Sequence, residues 1–242
     1  MLFDKFENKK IITGVITAID PIHIGSSQRE GMDPTQVDNS VIKDASGKPI
    51  IPGSSLKGVI RSNFEAVLRS VGKKACNVFD TRDKICLTNE ELNSISNNKS
   101  TNYYEKAEKM YDKSCDACKL FGGRGVASKL QFKDCAFIGE KCVYEYRDGV
   151  GIDRETGAAK GGAKYDFEIV PKGSKFTFYM TAENLDDDQK KYLDYILNVL
   201  ESGELSIGGM TTRGLGRIRL EDREENEISL VDLQKALGLL KE

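Results

Sequence analysis

The sequence predicts an α+β fold in which the elements follow the order strand, helix, strand, strand, helix, strand. Three observations carry that expectation. Alternating runs rich in Ile, Val, Thr and Phe occupy residues 9–19, 130–138 and 175–182, as half-buried strands require. Apolar residues spaced three and four apart run through 54–68 and 185–200, the mark of a helix with one buried stripe. Gly, Pro, Asn and Asp punctuate the stretches between them.

Residues 9–19 read as a half-buried strand that runs into a turn at Pro21. A polar, glycine-bearing stretch over 25–38 follows. The short apolar run over 41–51, broken by Asp44-Ala-Ser-Gly47, is a hairpin or a strand with a loop. Pro52-Gly53-Ser54-Ser55 then leads into Leu56, Val59, Ile60, Phe64, Val67 and Leu68 on one helical stripe, with Ser54 or Ser55 as the natural N-cap. Residues 76–118 are polar and Asn-rich with no sustained strand pattern, although 103–111 could be helical, so they read as an insertion. Residues 130–138 and 175–182 are strands, the second with Phe176, Phe178 and Met180 on one face, and 139–170 between them is too long for a simple hairpin. The helix over 185–200 carries acids in its first turn, which complement its dipole. A short run at 205–207, a glycine-rich bend and a closing strand at 215–220 come next, and a terminal helix covers 230–240. Stripped of insertions, this is the ferredoxin-like plan that RNA-recognition modules also use. The expectation is one domain over residues 1–242 with insertions at 75–119 and 139–172, both long enough to be functional projections.

The chain of 242 residues has 36 Lys and Arg against 38 Asp and Glu, 6 Cys and a single histidine, His23. No apolar run approaches the roughly 20 residues of a bilayer span, and residues 1–10 are charged, so neither a membrane segment nor a secretory leader is expected. The expected location is the cytoplasm, where cysteines serve as thiols or metal ligands. A net charge of −2 argues against a nucleic-acid protein until its distribution is read. Residues 43–74 hold seven basic side chains against Asp44 and Glu65, and 205–219 hold Arg213, Arg217 and Arg219 with no acid. Acids concentrate instead in 183–204 and 221–242. Such segregation permits one basic face on a weakly acidic protein; solvated helix faces are the plainer alternative.

Cys115-Asp-Ala-Cys118 is the most chemically specific local signal, because a spacer of two residues lets both thiolates face one metal ion from a tight turn. Cys76 and Cys86, in the same insertion, could complete a structural Zn2+ site. Buried free thiols are the alternative, and they suit Cys135 and Cys142 better because these lie in or beside strands. A redox pair fits less well, since no strand leads into it in the thioredoxin manner. Ser206 to Arg217 is a glycine-rich loop between strands, either a tight turn or a place where exposed amides and Arg213 approach phosphates. It has neither the Gly-Lys-Ser/Thr ending of a Walker loop nor the following helix of a dinucleotide turn. Ser54-Ser-Leu-Lys57 matches the Ser-x-x-Lys of penicillin-recognising acylases by coincidence, because Ser-Asp-Asn and Lys-Thr-Gly are missing. Its better reading is an anion seat, with Ser54 and Ser55 at a helix N-terminus and Lys57 and Arg61 one turn apart.

The series His23-Ile-Gly25, Asp38-Asn-Ser-Val-Ile-Lys-Asp44, Ile51-Pro-Gly-Ser-Ser-Leu-Lys-Gly58, Leu120-Phe-Gly122, Ile152-Asp-Arg-Glu-Thr-Gly157 and Gly208-Gly-Met-Thr-Thr-Arg-Gly-Leu-Gly216 resembles the CRISPR-associated RAMP proteins, in their order over residues 10–220. The likeness is greatest to the repeated backbone subunit of type III effector complexes. That resemblance implies an RRM-like palm with a projecting thumb hairpin, subunits stacked with further copies and other type III effector subunits along a CRISPR RNA, and metal-dependent cleavage of complementary target RNA at regular intervals. The cysteine insertion points to a zinc-bearing subgroup. Asp38 matches the family's cleaving acid. An acid on a glycine-bearing loop beside a phosphate-binding surface can help hold Mg2+, orient the ribose 2′-hydroxyl or act as a base, giving a 2′,3′-cyclic phosphate and a 5′-hydroxyl. A solvated turn aspartate is the alternative.

By the same mapping, Ser54, Ser55, Lys57 and Arg61 would grip the guide backbone, and Arg213 with Gly214 would reinforce that grip. Arg154 falls in the thumb, which would wedge into the guide–target duplex and expose a strained phosphodiester, or it is an ordinary hairpin charge. His23 could be a general base, but its place at the end of the first strand favours a structural hydrogen bond. The function expected is that of an RNA-guided endoribonuclease subunit. The alternatives are a non-catalytic RNA-binding scaffold subunit of the same complex and a stand-alone endoribonuclease that processes the guide precursor.

Overall fold

The computed structural model describes residues 4–25, 39–77 and 85–239. It opens on strand β1 (Asn8–Ala18), continues through the short β2 (Ile50–Ile51) into helix α1 (Gly53–Ser70), and builds the cysteine-bearing segment from α2 (Asn89–Asn97), α3 (Tyr103–Lys113) and α4 (Asp116–Phe121). Strands β3 (Leu130–Phe132) and β4 (Cys135–Ala136) precede a long hairpin, β5 (Glu145–Ile152) and β6 (Ala159–Ile169). Strand β7 (Lys175–Glu183), helix α5 (Asp187–Ser202), strand β8 (Ile218–Ser229) and helix α6 (Leu230–Ala236) complete the order.

The fold is mixed α and β around a four-stranded sheet in the order β3-β7-β1-β8, with every neighbouring pair antiparallel. Alternation along β1 buries Ile12, Ile16 and Ala18. Across the sheet Ile16 faces Phe176 and Ile12 faces Met180. This face joins one core with Leu56, Ile60, Phe64 and Leu68 of α1 and Leu193, Ile196, Leu197 and Leu200 of α5. Each such side chain contributes roughly 1.5–3 kcal/mol by leaving water, so the apolar stripes and not intrinsic propensity hold both helices in place. The Phe64 ring meets Tyr192 of α5 edge-on at 5.1 Å, which ties the two helices to each other.

Several elements differ from the sequence expectation. The N-cap of α1 is Pro52, not a serine, and it makes no side-chain cap. The Gly53 N–H instead donates to Asp134 Oδ1 at 2.8 Å, so a carboxylate from the sheet side satisfies the helix start. A Cβ at Gly53 would lie 2.6 Å from Phe132 O, and only glycine allows the helix to begin this close to the strand. The expected strand 130–138 is broken around Asp134 into β3, which pairs with β7, and β4, which pairs with β2.

The closing strand reaches Ser229, well beyond 220, although it is studded with acids. Lys10 Nζ pairs with Glu225 at 2.8 Å and Thr17 Oγ1 donates to Glu221 Oε2 at 2.7 Å, so β1 neutralises part of that charge. Exposed like charges on an edge strand also discourage pairing with another chain. The final helix begins at Leu230 as expected but ends at Ala236, short of 240. Among the described residues the cysteine insertion holds three helices, two of them opened by capping boxes, Thr88 with Glu91 and Asn102 with Glu105. Among the described residues no helix is long and apolar enough to cross a membrane.

Candidate functional site

Four thiols converge where the cysteine segment returns to helix α1. The sulfurs of Cys76, Cys86, Cys115 and Cys118 all lie within 4.8 Å of one another. Cys76 follows the end of α1, Cys115 is the N-cap of α4 and Cys118 lies one turn into it. The spacer of two residues therefore places both α4 sulfurs at one helix end. Cys115 N–H donates to Cys86 Sγ at 3.1 Å and Cys76 N–H to Cys115 Sγ at 3.5 Å, contacts that favour thiolate sulfur. Hydrogen bonds from the Cys118, Cys76 and Cys86 thiols hold Cys115 far below the ordinary thiol range. A tetrahedral ion with Zn–S bonds of about 2.3 Å needs sulfurs roughly 3.8 Å apart, so the arrangement fits such an ion, and an all-sulfur donor set favours Zn2+.

Arg61 of α1 reaches the same cluster. Its guanidinium donates from Nη2 to Cys118 Sγ at 3.4 Å, from Nη1 to Gly122 O at 2.8 Å and from Nε to Glu65 Oε1 at 2.7 Å. A cation beside four sulfurs offsets negative charge on them, so Arg61 is engaged with the four-cysteine cluster and the loop after α4. Lys57, one turn earlier and half-buried, donates to Ser128 Oγ at 2.9 Å, and burial together with the Arg61 charge lowers its pKa. Ser54 is exposed and Ser55 half-buried at the start of α1, where Asp134 already takes the Gly53 amide.

The glycine-rich loop is pinned to the end of the first strand. Gly209 N–H donates to His23 O at 2.8 Å and Gly216 N–H to Pro21 O at 2.9 Å. Gly208, at φ 83°, leaves 2.2 Å between a would-be Cβ and His23 O, so no side chain fits there. The loop presents Arg213 and Gly214, both exposed, and Arg213 Nη1 donates to Tyr165 Oη at 2.6 Å. Arg154 is exposed at the tip of the β5–β6 hairpin, where Asp153 Oδ1 accepts from the amides of Glu155 and Thr156 at 3.0 and 2.9 Å and shapes the turn.

Asp38 lies outside the described residues, but Asn39 does not. Asn39 O accepts from Glu168 N–H at 3.0 Å at the base of the hairpin, and Glu168 emerges as a hub. Its carboxylate accepts from Val41 N–H at 3.1 Å and Lys43 Nζ at 2.9 Å, while its carbonyl accepts from His23 Nδ1 at 2.7 Å. A carbonyl only accepts, so the His23 proton sits on Nδ1 and the ring serves a structural hydrogen bond. Glu168 went unnoticed in the sequence. The available signal was a charged residue inside the apolar run Phe167-Glu168-Ile169-Val170, all four of them buried. Cys135 and Cys142 are buried thiols apart from the four-cysteine cluster, and burial pushes Cys135 up to about 12.

A family model described as the RAMP superfamily matches residues 15–219. The protein named CRISPR system Cms endoribonuclease Csm3 from Methanocaldococcus jannaschii is 27% identical over 231 residues, covering 89% of this chain and 80% of that protein. The protein of the same name from Methanothermobacter thermautotrophicus is 28% identical over 249 residues, covering 90% of this chain and 86% of that protein.

Proposed function

The chain belongs to the RAMP superfamily, and from that premise we propose that it is a backbone subunit of a type III CRISPR RNA-guided effector complex that binds CRISPR RNA and cleaves complementary target RNA. One observation carries this reading: relatives named endoribonuclease align along about nine-tenths of the chain, at 89% and 90% coverage. Their shared name favours a cleaving subunit over a scaffold.

In this reading residues 1–242 are one RAMP domain. The four-stranded sheet with α1 and α5 is a ferredoxin-like, RRM-like palm, 139–172 a thumb carrying Arg154, and 75–119 a lobe stapled by Zn2+ through Cys76, Cys86, Cys115 and Cys118. The strand order β3-β7-β1-β8 and the four converging sulfurs support that division. Ser54, Ser55, Lys57, Arg61, Arg213 and Gly214 would meet guide RNA, with Arg61 also steadying the metal-binding cluster. Copies of the chain and other type III subunits would stack along the guide in the cytoplasm, with pairing supplying sequence specificity.

Asp38 would be the cleaving acid. The network of Glu168 with Asn39, Val41 and Lys43 supports this role, because it fixes the chain immediately after Asp38 to the base of the thumb. Asp38 would orient or deprotonate the 2′-hydroxyl for in-line attack on the adjacent phosphate. As the O2′–P bond forms the P–O5′ bond breaks, leaving a 2′,3′-cyclic phosphate on one strand and a 5′-oxygen on the other that takes a proton from water to become the 5′-hydroxyl. Mg2+ or a similar divalent cation, held through Asp38 and RNA phosphates, would neutralise charge at the scissile group.

The test is cleavage of matched target RNA by the reconstituted complex, with and without divalent cation. Asp38→Ala is expected to leave guide and target binding intact and slow cutting by about 100-fold or more, the range for loss of a general acid or base. Unchanged cutting at the same spacing would remove Asp38 from the chemistry, and cutting unaffected by a chelator would remove the metal requirement. Cleavage of guide precursor by the isolated chain would favour the processing alternative.

A further inference from the structure

Arg213 stands on an unusually determined stretch of backbone. It closes a single 3-10 turn, Thr211–Arg213, flanked by Met210 at φ 59° and Gly214 at φ 80°, both left-handed. Below the turn, a Cβ at Gly216 would lie 2.4 Å from Ile207 O, so the loop has little room to deform. The arginine side chain is long and has many rotamers, which a loop of fixed backbone does nothing to restrict.

The hairpin supplies what the loop lacks. Tyr165 of β6 faces Gly149 of β5 directly across the pair. A Cβ at Gly149 would fall 2.2 Å from a carbon of the Tyr165 ring, so the absence of a side chain at 149 lets the ring lie across the hairpin. The ring packs on Phe167, with centroids 6.1 Å apart and planes 29° apart, and joins the small apolar cluster of Phe167, Ile169, Leu215 and Met210. Two of those residues, Met210 and Leu215, belong to the glycine-rich loop itself. The phenol is thereby held at a fixed height over the loop, and its oxygen accepts from Arg213 Nη1 at 2.6 Å. A guanidinium has five N–H donors in a rigid fork, so this contact uses one and leaves four for phosphate oxygens.

We propose that Tyr165 is a positioning residue that aims Arg213 at the RNA backbone, with Gly149 keeping the space its ring requires. This inference rests on the reading of Arg213 as an RNA contact and deepens it. Tyr165 itself touches no phosphate in this role; it preorganises the cation that does.

Binding of a fluorescein-labelled single-stranded RNA of mixed sequence to the full-length chain, followed over a series of salt concentrations, tests the proposal. Tyr165→Phe removes one oxygen and keeps the ring. It is expected to weaken binding several-fold and to lower the slope of log K against log salt by up to about 0.7, the value for one phosphate contact on a single strand. Arg213→Ala is expected to lower both at least as much, and the double variant to bind no more weakly than Arg213→Ala alone. Gly149→Ala, which displaces the ring, is expected to behave like Tyr165→Phe. A purely structural tyrosine would change the unfolding midpoint without changing the salt slope. The proposal is overturned if Tyr165→Phe keeps wild-type affinity and slope while Arg213→Ala loses both, or if the two losses simply add. Should neither substitution alter binding, Arg213 is no RNA contact and the proposal falls with that reading.

Discussion

Lys43 Nζ donates to Glu168 Oε1 at 2.9 Å, joining the segment after Asp38 to the base of the β5–β6 hairpin through a carboxylate only 3% exposed. The same carboxylate accepts the buried Val41 amide, and the ammonium also lies 4.2 Å from the centre of the Tyr144 ring. Removing one member of a buried pair costs more than the pair is worth, because the other members lose their partner. Glu168→Ala is therefore expected to destabilise the chain by roughly 2–4 kcal/mol, the lower part of the range applying because Lys43 is a third exposed. Glu168→Gln keeps an acceptor for the amide and should cost about 1 kcal/mol. Denaturant unfolding of the two variants decides the matter: equal stabilities would show that the carboxylate is not a hub. With Asp38 as the cleaving acid, Glu168→Ala should also slow cutting more than it weakens RNA binding.

The sulfur cluster carries a second expectation, because Arg61 is bonded to it. Purified chain should contain one equivalent of zinc, and Cys115→Ser should abolish it. A strong chelator should lower the unfolding midpoint of the wild type and leave that of Cys115→Ser unchanged, since metal binding free energy is folding free energy in a lobe with little core of its own. Four thiolates around a divalent ion carry two excess negative charges, so Arg61→Met should speed zinc loss to the chelator while keeping much of the packing of the arginine stem. Substoichiometric zinc after gentle purification, insensitive to Cys115→Ser, would leave the cysteines as plain buried thiols.

The contrast between these two sites shows what a sequence discloses. The cysteines were legible because Cys115-x-x-Cys118 constrains two ligands through local geometry, and α4 does present both sulfurs at its start. The strand and helix stripes were legible for the same reason, since each depends on residues two to four apart. Glu168 was not, because its partners His23, Asn39, Val41 and Lys43 lie more than a hundred residues away in sequence. Asp134 capping α1 from the sheet side is the same kind of event, and it displaced the local serine cap that composition suggested. The long β8 was missed for a different reason: its outer half pairs by backbone with β1 while burying little, so no apolar period marks it. Within the cysteine segment α3 answers to the helix read over 103–111, whereas α2 was announced only by its Thr88–Glu91 capping box, which local polarity obscured.

Lys129 gives a prediction in pH. It is 1% exposed at the start of the segment leading to β3, and its ammonium donates to Asn184 O at 2.6 Å and Gln189 Oε1 at 2.7 Å. Gln189 in turn donates to Tyr111 Oη at 3.0 Å, so this lysine links the sheet, α5 and the cysteine lobe. Burial lowers its pKa from the ordinary 10.5, with the Asp186 and Glu7 charges opposing only in part. At lower pH the ammonium is protonated in both folded and unfolded chains, and folding carries the whole cost of burying it. As pH rises from the lowered folded value toward 10.5, the folded chain gives up the proton while the unfolded chain still holds it. More protons on the unfolded state means that stability increases with pH through that window. Lys129→Met removes the titrating group while filling similar space, so the stability difference between wild type and variant should move in favour of the wild type as the medium is made alkaline. Urea unfolding of both proteins at neutral and alkaline pH measures this directly. Parallel pH profiles would mean that Lys129 keeps its ordinary affinity for the proton despite its burial.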